Sequence, residues 1–125
     1  MNQIIHTDNA PAAIGPYSQA VKAGNLLFVS GQLPIDPATG AFAGEDIASQ
    51  TRQSLTNVRA ILEAAGYACA DVVKTSGLLA DIADFGAMNA VYAEFFTANC
   101  PARAAFAVKD LPKGALVEIE VIAAK

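Results

Sequence analysis

The sequence predicts an α+β domain in which a mixed β-sheet carries two helices on one face. Three observations predict it. Two segments repeat apolar residues at three- and four-residue steps: Ile47, Thr51, Leu55, Val58, Leu62 and Ala65, then Phe85, Met88, Tyr92 and Phe95. Shorter apolar segments bounded by turn residues surround them, giving the order β-β-β-α-β-α-β-β. Finally, the 125-residue chain is 54% apolar and only 16% charged, which is little polar surface for so small a body. Two helices can cover one face of a sheet. The other face must meet solvent or another copy, and the sparse charge points to association. The length fits a single domain over residues 1–125, with no linker, repeat or low-complexity tract.

Each element follows from local signals. Residues 1–5 form a short edge strand. Pro11, Gly15 and Pro16 keep "NAPAAIGPYSQ" out of helix. "AVKAGNLLFVSGQ" is a hairpin about Gly24-Asn25. "PIDPATGAFAG" is a loop. The first helix is expected from about Asp46 to Ala65, with Gly66 where a left-handed cap belongs. "DVVKTSGLLAD" is a strand with a weak spot at Gly77. The second helix is expected from about Ile82 to Ala98, capped by Asp81 and stopped by Pro101. Two strands close the chain, about Ala102 to Lys109 and Leu116 to Ala123. In the last, Val117, Ile119 and Val121 alternate with Glu118 and Glu120. In the strand before it, Ala104, Phe106 and Val108 alternate with Arg103, Ala105 and Ala107. Placing the purely apolar sets under the helices puts Arg103 and Glu118 together on the open face.

Composition excludes several functions. Net charge is −4, and the eight basic residues are scattered without aromatic interleaving, which argues against a nucleic-acid groove. The N-terminus has no basic region leading into an apolar one, and no run approaches the ~20 residues of a membrane span. A cytoplasmic location follows as the expectation. Cys69 and Cys100 lack a CxxC spacing and are expected to be free, buried thiols. His6 is the only histidine, a poor basis for a Ser-His-Asp triad. Neither an HxE with PCxxC nor a phosphate-cradling glycine loop is present, so no metal or nucleotide cofactor is implied.

A few polar residues stand out in apolar surroundings. Arg103 opens a core-like strand. It is either half of an ion pair with Glu118 or Glu120, or a fork for a small carboxylate, which guanidinium binds through two parallel hydrogen bonds. Glu118 is either a solvated residue or a general base. Asn89, beside the second helix's apolar stripe, is either a packing amide or a pocket group. Tyr17 is either core or a pocket hydroxyl.

"NAPAAIGPYSQAV", "LLFVSGQLPIDPATG", "QTRQSLTNVRAILEAAG", "VVKT", "PARAAFAV" and "LPKGALVEIEVIA" together resemble the RidA/YjgF family, also labelled endoribonuclease L-PSP. The resemblance spans nearly the whole chain in order and spacing. It implies a chorismate-mutase-like α+β fold, a twisted sheet backed by two helices, assembled as a homotrimer around a central barrel with pockets between subunits. It implies cofactor-free hydrolysis of reactive 2-imino and enamine acids to 2-keto acids and ammonia. By position, Arg103 matches the family's carboxylate-binding arginine and Glu118 the glutamate near the attacking water. Tyr17, Ser30, Gly31 and Asn89 match pocket positions. Ala105 stands where several members have cysteine, Cys100 where an aromatic is common, and Gly77 where a strand residue is larger. A keto-acid-binding protein without catalysis, and a ribonuclease, are the alternatives.

Overall fold

A computed structural model describes residues 1–125. The strands are β1 (Gln3–Ile5), β2 (Ala20–Ala23), β3 (Leu26–Gln32), β4 (Val72–Leu79), β5 (Ala102–Ala107) and β6 (Val117–Ala124). The helices are α1 (Ile47–Ala64) and α2 (Phe85–Phe95). All six strands form one sheet in the order β1-β2-β3-β6-β4-β5. Only β4 and β5 run parallel, joined by α2; every other pair is antiparallel. The last strand, β6, inserts between β3 and β4 and so joins the β1–β3 strands to the β4–β5 pair.

Both helices lie on one face. Leu55, Val58, Ile61 and Leu62 of α1 and Met88 and Tyr92 of α2 pack on Leu27, Val29, Leu79, Val117, Ile119 and Val121. Three buried amides fasten loops to this core. Gln19 accepts from the Thr7 amide and donates to the Thr7, Ala10 and Pro11 carbonyls. Asn57 donates to the Leu33 and Ile35 carbonyls, and Gln50 accepts from the Leu116 amide.

The helix boundaries have local causes. Asp46 caps α1 by accepting from the Ser49 amide, and Gly66 follows the helix at φ +82°. Asp81 instead caps a 3₁₀ turn over Ile82–Asp84, so α2 begins three residues later than expected. It ends at Phe95, three residues earlier than expected, where Phe96 leaves helical geometry at φ −119° and ψ 88°. Strand β5 stops at Ala107, where the Val108 amide turns to the Leu79 carbonyl at the end of β4.

The expected assignment of faces is overturned. Arg103 and Glu118 do not share a face. Arg103 pairs with Thr75 and Ala105 with Gly77, while Thr75 and Gly77 face Val121 and Ile119 of the core. Arg103 and Ala105 therefore belong to the helix side of the sheet. Phe106 pairs with Leu78, which pairs with Glu118, so these lie on the open side. The apolar pattern misled because β5 is an edge strand: Arg103 reaches past the end of the core to the flank of α2, and Phe106 is 49% exposed. Leu26, Phe28 and Val73 are also exposed, leaving an uncovered face on which apolar side chains are interspersed with Lys74, Ser76, Glu118 and Glu120. Among the cysteines, both are free, but Cys69 is half-buried and Cys100 is exposed rather than buried.

Candidate active site in two halves

The first half is built at a β-bulge. Val29 pairs with Val121 and Gln32 with Ile119, so Ser30 and Gly31 oppose the single residue Glu120. Such an insertion breaks the ladder and re-aims what it carries. Here it brings Gly31 against the side chain of Glu118. A Cβ at Gly31 would strike Glu118 Oε2 and lie 2.9 Å from Cδ, so any larger residue there would have to push the Glu118 carboxylate aside. Ser30 holds the neighbouring loop: its amide donates to the Gln19 carbonyl and its hydroxyl to the Ser18 carbonyl at 2.6 Å. Tyr17 stands exposed on that loop. Tyr17 and Gly31 line a cavity of about 450 Å³ whose other walls include Pro11, Ile14, Leu33 and Ile35, with Lys113 at its margin. Glu118, against Gly31, is half-buried and does not itself line this cavity. Burial pushes its carboxyl above the ordinary 4.5, and the charge of Glu120 on the same strand face adds to the rise.

The second half is built on α2. Phe85, Asn89 and Tyr92 recur at i, i+4 and i+7 and so share one helix face. Arg103 crosses to that face from β5. Its Nη1 donates to Asn89 Oδ1 at 2.6 Å, and its Cζ lies 5.3 Å from the Phe85 ring centre and 4.7 Å from that of Tyr92. A guanidinium over ring faces is favoured by the ring quadrupoles. A cavity of about 440 Å³ adjoins it, lined by Asn89, Tyr92, Ala93, Phe96, Cys100, Pro101 and Arg103. No carboxylate pairs with Arg103; the chain's side-chain ion pairs are His6–Asp8 and Arg52–Glu94. The ion pair with Glu118 or Glu120 is thus absent within the chain, and the guanidinium lies beside neutral groups.

The two halves stand apart. Glu118 and Arg103 are two strands and three residues away from each other, roughly 14 Å between Cα atoms at ordinary strand dimensions, and on opposite faces. Ala105 sits against Gly77 under α2 and, like Gly77, lines neither cavity, whereas Cys100 lines the Arg103 cavity. Sequence reasoning missed Phe85 and Tyr92 as partners of Arg103. Their spacing with Asn89 marked a common face, but it also marked a core stripe. The arrival of a cation from β5 left no local signal.

Comparison with known proteins agrees with the fold. The family described as Endoribonuclease L-PSP matches residues 7–125. A RutC family protein of Pyrococcus horikoshii is 58% identical over 125 residues, covering 100% of this chain and 99% of that one. A 2-iminobutanoate/2-iminopropanoate deaminase of Salmonella typhimurium is 52% identical over 128 residues, covering 100% of this chain and 99% of that one. Among solved structures, E. coli TdcF with bound serine superposes with a TM-score of 0.95 at 44% identity, covering 98% of each chain. An unbroken match of sequence and fold leaves one assignment: the chain belongs to the endoribonuclease L-PSP family, the RidA/YjgF family.

Proposed function

We propose that the protein hydrolyses small 2-imino and enamine acids, such as 2-aminoacrylate and 2-iminobutanoate, to 2-keto acids and ammonia. The observation that carries this is the unpaired, oriented guanidinium of Arg103. A cation steadied by a neutral amide and two rings is ready for a carboxylate from outside the chain. The deaminase name of a relative 52% identical to this chain gives that carboxylate a substrate.

The work is divided between the halves. Arg103 binds the carboxylate and so fixes the imine carbon. Glu118, with its raised affinity for protons, accepts a proton from water as that water attacks the carbon. Glu118 returns that proton to the imine nitrogen, giving the carbinolamine, and then relays the hydroxyl proton to the same nitrogen as C=O forms and the C–N bond breaks, releasing ammonia. Tyr17 and Gly31 wall the site on the Glu118 side, and Ser30 holds the loop that carries Tyr17. An electrophilic C=N needs little acceleration beyond positioning. Because the halves are on opposite faces of one sheet, the active site forms where Arg103 of one copy meets Glu118 of the next. A homotrimer closed by the open faces satisfies this.

The bound serine in TdcF favours one second reading, a protein that holds small amino or keto acids without turning them over. One assay separates the two. Threonine dehydratase generates 2-iminobutanoate in situ, and keto-acid release is followed with and without the protein. Faster release that is abolished in Arg103→Ala supports the deaminase. Unchanged release together with saturable 2-oxobutanoate binding supports the binder.

A further inference from the structure

We propose that Tyr92, held in place by Thr75, is a positioning residue that sets the orientation of Arg103 for its ligand. The inference rests on the carboxylate-binding reading of Arg103. An arginine on an exposed edge strand has many rotamers, and fixing one on ligand arrival costs affinity. Here the rotamer is chosen beforehand. The Tyr92 ring lies 4.7 Å below the guanidinium carbon and is itself 7% exposed. Its hydroxyl meets the Thr75 hydroxyl at 2.8 Å, and Thr75 is fully buried. Thr75 is also the register partner of Arg103 across the β4–β5 ladder. The hydroxyl pair therefore ties α2 to the strand beside the one that carries the arginine. Phe96 packs on Tyr92 in a tilted arrangement, with ring centres 4.7 Å apart.

The geometry also selects which edge of the fork is offered. Asn89 occupies Nη1, while the Phe85 and Tyr92 ring centres lie 5.3 and 4.7 Å from the guanidinium carbon. The edge formed by Nη2 and Nε is left for a bidentate carboxylate. If the Tyr92 ring rotates, both the plane and the free edge rotate with it.

The test separates positioning from packing. Tyr92→Phe alone orphans the buried Thr75 hydroxyl and lowers Tm. The double variant Tyr92→Phe/Thr75→Val removes both hydroxyls at nearly constant shape, and Tm returns towards the parent. The proposal expects KM for 2-iminobutanoate, and Kd for 2-oxobutanoate, to stay raised in the double variant by about fivefold, the worth of one net hydrogen bond, with kcat little changed. It also expects the ring-shifted NMR resonance of the Arg103 Nε–Hε group to move towards the free-arginine position. Parental KM and an unmoved resonance at restored Tm would overturn it. Arg103→Ala serves as the control. If that variant turns over 2-iminobutanoate normally, the carboxylate-binding reading of Arg103 fails, while the Arg103 resonance in the double variant still decides whether Tyr92 orients it.

Discussion

Asn89 shows how much turns on one atom. Its Oδ1 accepts from Arg103 Nη1 without neutralising it. Aspartate has the same shape and would keep the contact, but it would place a permanent anion where the substrate's carboxylate competes. Asn89→Asp should therefore raise KM for 2-iminobutanoate by tenfold or more, in the range expected when a charge-assisted bond worth about 1.5–3 kcal/mol is forfeited. Tm should hold or rise; an unchanged KM would make Asn89 a packing amide. Arg103→Lys tests the fork itself. Lysine keeps the charge and loses the bidentate geometry, so kcat/KM should fall by roughly an order of magnitude. At Glu118 the folded chain favours the protonated form, because burial raises its pKa. Its ionisation thus opposes folding as pH rises from the ordinary 4.5 through the raised value. Glu118→Gln should be more stable than the parent at neutral pH, and the advantage should disappear on acidification to below 4.5. Thermal melts across that range decide it, and turnover should be lost throughout.

At the scale of elements, most of the fold was legible. Periodicity located α1 and its glycine cap because both signals are local. It overran α2 because a 3₁₀ turn and an α-helix share an N-cap signature, and it inverted β5 because alternation reveals two faces without saying which is buried. The bulge at Ser30-Gly31 was legible only as a pocket motif by resemblance. Its physical role depends on Glu118, 87 positions away in sequence terms by the numbering, and no local rule reaches that far. Gly31→Ala would force the Glu118 carboxylate aside. Turnover should collapse while far-UV circular dichroism stays parental, since Gly31 is outside the apolar core. The polar fastenings were also silent in sequence. Gln19 is 2% exposed and serves four backbone groups, so Gln19→Ala should destabilise by about 1–3 kcal/mol through the buried groups it leaves unpaired. Denaturant unfolding measures this.

For the whole molecule, the uncovered face is the feature that composition did anticipate. Phe28, Val73 and Phe106 are too exposed to support the monomer's core, yet they form an apolar surface beside an unpaired strand edge. We expect light scattering at micromolar concentration to give three times the 12.9 kDa chain mass. Phe106→Glu should remain folded but fail to assemble, and should lose turnover with the assembly. A trimer that survives this change, or a parent protein that is monomeric, would contradict the arrangement.

The separation of Arg103 from Glu118 has a genetic consequence. If each working centre takes its cation from one chain and its base from the next, two dead alleles can rescue each other. Arg103→Ala supplies an intact base, and Glu118→Gln supplies an intact cation. In any ring of three containing both kinds, one junction pairs the intact cation with the intact base. Random reassembly of an equal mixture should then recover about a quarter of the parental activity, from proteins that have none separately. Co-unfolding and refolding the two variants, or expressing both alleles in one cell, would reveal it as complementation within a single gene.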